Sequence, residues 1–307
     1  MIDILLATYN GEEYISQQLD SLLNQTYKDI RILIHDDCSK DNTVTIVKEY
    51  SKKYSDKIIL IQDQIHCGSA QKNFMHLAKF STAEYVMFCD QDDFWLPEKV
   101  EKTFNEMKRV EAQSKKDIPI LVFCDYKAVD SNLQNLNFNE SHNQIAEYKL
   151  SFSNLLVQNY VTGCTMMINK VLCEMMGDYD SRILMHDWWL ALLASSCGQI
   201  SHLSEPLILY RQHGDNTVGA VDVKSMKYRW NKFTDKRTKN MQYLYLNQAK
   251  LMSERYKEIM PQESCSILLS FIHLYELPYK IQRIYRLIRG NYLKSDFVRV
   301  IAQLIYV

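Results

Sequence analysis

Residues Tyr85–Pro97 read YVMFCDQDDFWLP, an apolar, strand-like run that stops abruptly in Asp90, Gln91, Asp92 and Asp93. Carboxylates crowded at the end of a buried strand repel one another and are costly to desolvate unless positive charge sits among them. A divalent cation escorting a nucleotide diphosphate meets that need, and hard oxygen ligands suit Mg²⁺ or Mn²⁺. A solvated acidic turn capping a helix near Pro97 is the bland alternative, and the motif alone fits both. Two more polar clusters carry chemistry. In the first, Thr8, Asn10 and the amides near Gly11 offer hydrogen bonds to a base or ribose, and Gly11 lets the chain approach closely. In HDDCSKDNT, Asp37 is placed to accept from an N–H such as N3 of a pyrimidine, whereas Ser39 and Asp41 read as turn and N-cap residues. Gly68, in HCGSAQKNF, opens a helix whose N-terminus is a candidate phosphate contact.

The elements that hold these residues follow from hydrophobic periodicity. Strands are expected at Ile2–Ala7, Ile30–His35, Lys57–Ile61, Tyr85–Cys89 and Ile120–Cys124. Helical spacing falls between them, over Glu13–Asn24, Asn42–Tyr54 and Ser69–Phe80. Alternating strands and helices imply parallel βαβ units and a doubly wound sheet. Ligands of such sheets bind beyond the carboxyl ends of the strands, where all three polar clusters fall. No GxGxxG follows the first strand, and GxxxxGK[ST], GxSxG and HExxH are absent from the sequence, which argues against a dinucleotide dehydrogenase or a P-loop NTPase.

The net charge of −1 over 307 residues hides an asymmetry. Residues 1–221 carry a balance of −10 and residues 222–307 one of +9. A basic tail on an acidic body points to an anionic partner for the tail: a membrane surface, a lipid-linked phosphate or the body itself. Nucleic acid is not expected, since no nucleic-acid module accompanies the tail. The eight cysteines are scattered without a CxxC pair, as in a chain that keeps reduced thiols in the cytosol. No stretch approaches the ~18 apolar residues that span a bilayer, so a soluble or peripheral protein is expected. From about residue 222 the pattern turns helical, and PYKIQRIYRLIRGNYLK alternates basic with apolar or aromatic residues. That segment fits either an anionic membrane face or a helix packed on the acidic body.

The motifs LLATYNGEEYI, SLLNQTYKDIRILIHDDCSKDNT, YVMFCDQDDFWLPEKV, VTGCTMMINK, MHDWWLALLA and LYRQHGDN occur in that order. In this the chain resembles the family 2 glycosyltransferases over roughly residues 1–220. DQDDFWLP, VTGCTMM, HDWWLALLA and YRQH resemble in particular the bacterial rhamnosyltransferases of cell-wall and capsular polysaccharides. The resemblance implies an α/β GT-A fold, a Rossmann-like, mostly parallel sheet flanked by helices. It would occupy residues 1–221, with a basic helical extension over 222–307. It implies that Asp37 binds the pyrimidine, that Thr8, Tyr9 and Asn10 line the nucleotide pocket, and that Asp90 sits near the ribose. Asp92 would be the direct metal ligand, and Asp93 would either cap the next helix or orient the donor sugar. Asp187 would be the catalytic base, with His186 where the family often has another residue. His213 would reach the metal or diphosphate, or serve as a plain polar residue. Trp188 and Trp189 would either stack on an acceptor sugar or belong to the core. Processive members carry QxxRW; here Met226 replaces the Gln before Arg229-Trp230, which implies addition of one or a few sugars.

The expectation is therefore an inverting transferase dependent on Mg²⁺ or Mn²⁺. Its donor would be dTDP-L-rhamnose and its acceptor a saccharide or lipid-linked sugar at the inner face of the cell membrane. A UDP-hexose or UDP-N-acetylhexosamine donor on the same fold is the alternative. A non-catalytic nucleotide-sugar-binding scaffold is the reading from another class.

Overall fold

The run IDILLAT forms β1 (Ile2–Thr8), buried along its whole length in the computed structural model, which describes residues 1–136, 146–212 and 236–307. A strand covered on both faces takes a continuous apolar run instead of an alternating one. Its single charge, Asp3, receives the Arg31 guanidinium on both oxygens at 2.8 Å and Ser81 Oγ at 2.7 Å. β2 (Ile30–Asp36), β3 (Ile58–Ile61) and β4 (Tyr85–Cys89) run parallel to β1, joined through α1 (Ile15–Leu23), α2 (Thr43–Lys53) and α3 (Ala70–Ala78). These are the elements that periodicity located, with no end shifted by more than two residues.

Beyond β4 the sheet gains strands that periodicity did not locate. They are β5 (Phe94–Trp95), β7 (Met166–Asn169) and β8 (Gln199–Arg211), and β6 (Ile120–Val129) is twice its expected length. The order is β3-β2-β1-β4-β7-β6-β8-β5, with β7 antiparallel to both its neighbours and β8 parallel to β6. β7 is four buried residues, MMIN, too short for a periodic signal. The β6–β8 register slips on either side of Asp125, whose buried carboxylate meets His202 Nε2 at 2.8 Å. A bulge of this kind bends the strand and re-aims the side chains after it. α4 (Lys99–Gln113) and α6 (Lys170–Met175) complete the helices on this sheet.

The chain divides into two compact units. The first is Met1–Gln144, Val161–Tyr179 and Gln199–Ala220; the second is Ile145–Tyr160, Asp180–Gly198 and Val221–Val307. The second unit thus takes two inner segments besides the basic extension, and the expected boundary at 221/222 lies outside the described residues. It holds α5 (Phe152–Leu155), α7 (His186–Cys197), α8 (Lys236–Tyr256), α9 (Gln262–Leu274), α10 (Lys280–Arg289) and α11 (Phe297–Tyr306). α7, HDWWLALLASSC, is apolar on nearly every side, the mark of a helix enclosed by others. Trp188 Nε1 donates to Leu155 O at 2.6 Å, its ring lies 5.3 Å from Tyr245, and the Trp189 ring lies 5.9 Å from Tyr256. Truncating a tryptophan so enclosed costs about 3–5 kcal/mol. All eight cysteines are free. No helix among the described residues is long and apolar enough to cross a membrane.

Candidate functional site

The carboxyl ends of β1, β2 and β4 lie side by side, and a web of side-chain to backbone bonds joins the loops that leave them. Thr8 Oγ1 donates to Asp36 Oδ1 at 2.8 Å, and Asp36 also takes the amide and hydroxyl of Ser39. Tyr9 N donates to Gln91 Oε1 at 2.8 Å while Gln91 Nε2 returns a bond to Tyr9 O at 2.9 Å. The Gln91 carboxamide thus pairs with the β1 exit as a strand backbone would. It lies directly over Gly11, where any Cβ would overlap it. Asn10 holds a left-handed backbone, φ 48°, which its short polar side chain tolerates. Its amide donates to Ser39 Oγ, and its Oδ1 accepts from Lys40 N, both at 2.8 Å. Tyr9 is half-exposed. Asp41 accepts from Thr43 N and Glu12 N, one residue ahead of the cap position expected for it.

Asp37 is 5% exposed and gathers the segment after β3. Its Oδ1 accepts from Cys67 N at 2.5 Å and His66 Nδ1 at 3.0 Å, and its Oδ2 accepts from Gly68 N at 2.8 Å. A carboxylate has about four lone-pair directions, so one on Oδ2 stays open. The Gly68 amide is therefore taken by Asp37 and is not offered to a phosphate. The helix begins at Ala70 under a Ser69 cap.

The acidic loop after β4 is layered. Asp90 and Asp92 are partly exposed, whereas Asp93 is wholly buried. Burial, then the charges of Asp92 and Asp90, push the Asp93 carboxyl well above the usual carboxylate range. Asp93 Oδ1 accepts from Arg211 N at 3.2 Å, and ligand atoms of Asp90, Asp93 and Cys164 lie within 4.8 Å of one another. Asp93 does not cap the next helix, α4, which has no side-chain cap, and its side chain is buried. Below it lies Lys99, fully buried, with Nζ 3.1 Å from the centre of the Trp95 ring. Burial pushes that ammonium down to about 8 against the pull of Cys124, Cys89, Cys164 and Asp93.

Arg211, 1% exposed, ties the loop in place. Its Nε donates to Asp92 O at 2.7 Å, Nη2 to Gln17 Oε1 at 2.7 Å and Nη1 to Ser131 O, and its guanidinium lies 4.4 Å from the Tyr14 ring centre. Sequence reasoning passed over Arg211, Gln91 and Lys99. Each sits inside a motif it had singled out (LYRQH, DQDD, LPEKV), but none has the carboxylate or imidazole chemistry that draws attention.

The remaining expected residues lie elsewhere. Asp187 belongs to the second unit, partly exposed in the first turn of α7. His186 beside it is buried, and burial pushes its imidazole down to about 3. Trp188 and Trp189 are buried in the second unit, so they fill its core and present no open ring face to an acceptor. His213 lies outside the described residues, as do Met226–Trp230.

Residues 3–173 match the profile of the family described as Glycosyl transferase family 2. The chain belongs to this family. Among the relatives of this glycosyltransferase is the dTDP-rhamnosyl transferase RfbG of Shigella flexneri, 31% identical over 240 residues, 73% of this chain and 77% of that protein. An uncharacterised glycosyltransferase of Rickettsia typhi is 30% identical over 246 residues, 78% of this chain and 73% of that one. Of solved structures, Staphylococcus aureus TarS 1–349 superposes with a TM-score of 0.58 at 16% identity, covering 94% of this chain and 78% of that one. The Pyrobaculum calidifontis mannosyltransferase PcManGT, solved with GDP-Man and Mn²⁺, gives 0.53 at 15%, covering 98% and 78%. The glycosyltransferase has the GT-A fold that its motifs implied. Its loop after β4 fits a hard divalent cation: Asp90 and Asp92 are partly exposed, and ligand atoms of Asp90 lie within 4.8 Å of those of the buried Asp93, whose carboxyl is pushed up by burial and by both neighbours.

Proposed function

We propose that this glycosyltransferase moves L-rhamnose from dTDP-L-rhamnose to a saccharide or lipid-linked acceptor during synthesis of a cell-surface polysaccharide, with inversion at the anomeric carbon. The observation that carries the reading is the Asp37 cradle. Three protein donors fix the carboxylate and leave one lone pair on Oδ2, which suits the single N3–H that thymine and uracil share and cytosine lacks. Thr8, Tyr9 and Asn10 line the same edge, and Asp90 is assigned to the ribose. The likeness to a dTDP-rhamnosyl transferase over most of both chains favours thymidine and rhamnose. A UDP-sugar donor is the second reading, favoured by the fold's likeness to TarS solved with UDP-GlcNAc.

Asp92, partly exposed, would hold Mg²⁺ or Mn²⁺, with His213 as a further ligand. When bound, the ion supplies positive charge to the departing diphosphate. Asp187 takes the proton of the acceptor hydroxyl as its oxygen bonds to C1 and the bond from C1 to the diphosphate breaks. His186, held neutral by burial, does not compete for that proton.

The outer face of α10 supports attachment to an anionic membrane on the cytoplasmic side. Ile281, Tyr285 and Ile288 are 77%, 57% and 55% exposed at i, i+4 and i+7, flanked by exposed Arg286 and Arg289, while Leu287 anchors the opposite face. Apolar anchors among arginines match lipid headgroups of opposite charge.

The test is thermal stabilisation by nucleotides and nucleotide sugars, with and without Mn²⁺. A ligand at ~100 times its Kd adds about 2.7 kcal/mol. Manganese-dependent stabilisation by dTDP and dTDP-rhamnose is expected, with turnover lost and binding kept in Asp187→Asn. Preference for UDP replaces the donor. A protein that nucleotide sugars stabilise but that turns over none of them is a nucleotide-sugar-binding scaffold.

A further inference from the structure

A second cluster of ligating side chains stands on the first unit, built by β2, the segment after β3, and α3. His35 Nε2 lies 3.2 Å from Asp63 Oδ1, and His76 Nε2 lies 2.6 Å from Asp63 Oδ2. Ligand atoms of the three residues fall within 4.8 Å of one another, and the two imidazoles meet edge to face with centres 4.9 Å apart.

The contacts that His35 makes show what this cluster fits. Asn73 Nδ2 donates to His35 O at 3.1 Å, which orients the carboxamide so that Oδ1 faces His35 Nδ1 at 2.8 Å and accepts its N–H. In the neutral ring the second nitrogen then carries a lone pair, and that lone pair points at a carboxylate oxygen. Asp63 Oδ1, which also accepts from Ile65 N at 3.1 Å, faces that nitrogen across 3.2 Å, a gap that a shared proton or a metal ion can bridge. His35 is 2% exposed and its ring plane is fixed by Asn73. The geometry favours the ion. For zinc with ligands at about 2.0–2.1 Å, the edge of the coordination tetrahedron is about 3.3 Å, close to the His35 Nε2–Asp63 Oδ1 separation; His76 Nε2, 2.6 Å from Oδ2, would have to draw back by several tenths of an ångström to share the ion with Oδ1. Asn73 also does what the outer partner of a ligating histidine does, fixing tautomer and ring plane through the other nitrogen. Asp63 and His76 are partly open, with side chains 26% and 16% exposed, which gives an entry path and a position for water.

We propose that His35, Asp63 and His76 form a binding site for a borderline divalent metal of the zinc type. It is separate from the hard-cation site expected at Asp92 and independent of the donor assignment. Two imidazoles and one carboxylate with an open position suit such an ion better than Mg²⁺. A metal here would clamp the start of the segment whose far end, Cys67 and Gly68, is held by Asp37, so both ends of that segment would be pinned.

The experiment uses the full chain, stripped with a chelator, dialysed, and titrated with Co²⁺ and then Zn²⁺. One Co²⁺ per chain is expected to give the visible absorption of a tetrahedral site, displaced by stoichiometric Zn²⁺. His76→Ala and Asp63→Asn, both near the surface, should weaken binding at least 100-fold with the far-ultraviolet circular dichroism unchanged. Asn73→Ala should weaken it about 10- to 100-fold. Asp92→Ala should leave it intact. Binding that survives in His76→Ala and Asp63→Asn, or that disappears in Asp92→Ala, overturns the proposal. So does a chain that binds no Co²⁺, which would make the cluster an imidazolium–carboxylate pair.

Discussion

Arg211 offers the sharpest check on how the acidic loop is held. Its guanidinium serves Asp92 O, Ser131 O and Gln17 Oε1 while stacking on Tyr14, at 1% exposure. A hydrogen bond from a charged donor contributes about 1.5–3 kcal/mol, but three made by one group are not additive. Breaking a buried charged network by removing one partner costs about 3–5 kcal/mol, and Arg211→Ala should lose that amount. Arg211→Lys keeps the charge, but one ammonium cannot reach three acceptors set around a planar fork, so about 2–3 kcal/mol should go. A typical domain has only ~5–15 kcal/mol in hand, so the lysine variant is the informative one. Urea unfolding reads the stability. Stabilisation by dTDP with Mn²⁺ reads the loop, and should weaken at least tenfold because the Asp92 carbonyl loses its anchor. A lysine variant with the wild-type urea midpoint and wild-type manganese response would refute the reasoning.

Three other outcomes follow from the geometry. Gly11→Ala should weaken nucleotide binding about tenfold by displacing the Gln91 carboxamide, and Gln91→Ala in the same chain should restore part of the loss in a thermal-shift titration. Lys99 has a folded-state value of about 8 against an ordinary 10.5, so the unfolded chain holds more protons across that window and stability rises with pH through it. Lys99→Met should abolish that rise, on the order of 3 kcal/mol, in urea melts from pH 7.5 to 10.5. Replacing Ile281 and Ile288 with Glu should release the protein from anionic vesicles in co-sedimentation without moving its melting temperature; vesicle binding at the wild-type level would remove α10 from the membrane reading.

Legibility in the sequence tracked the range of the interactions. β1 to β4 and their helices were readable because each is a local periodic pattern, and the three polar clusters were readable because parallel strands end on one edge. β7 and β8 were not, since β7 is four residues long and β8 mixes Ser, Glu and Pro into a strand whose partners are far away in sequence. The same limit applies at the site. Asp37, Asp90 and Asp92 announce themselves by type. Gln91 and Arg211 matter only through partners 82 and 80–194 residues away, which no spacing rule reveals. Trp188 and Trp189 show the converse: a residue type suited to sugar stacking was claimed by the core.

The make-up of the second unit sets a timetable for synthesis. α7 leaves the ribosome as an apolar cylinder, yet the side chains that receive it come much later. Leu184 N waits for Gln248, Trp189 for Tyr256, and Ser196 O for Ser264. At ~5–20 residues per second the delay to the end of α9 is roughly 4–15 s. During that interval the leucines and tryptophans of α7 have only the earlier α5 side of their native cover, with Trp188 bonded to Leu155, which makes the nascent chain a client for chaperones that shield apolar helices. A gene fragment ending near residue 221 would hold the protein in that state indefinitely, and should yield aggregate where the full chain yields enzyme.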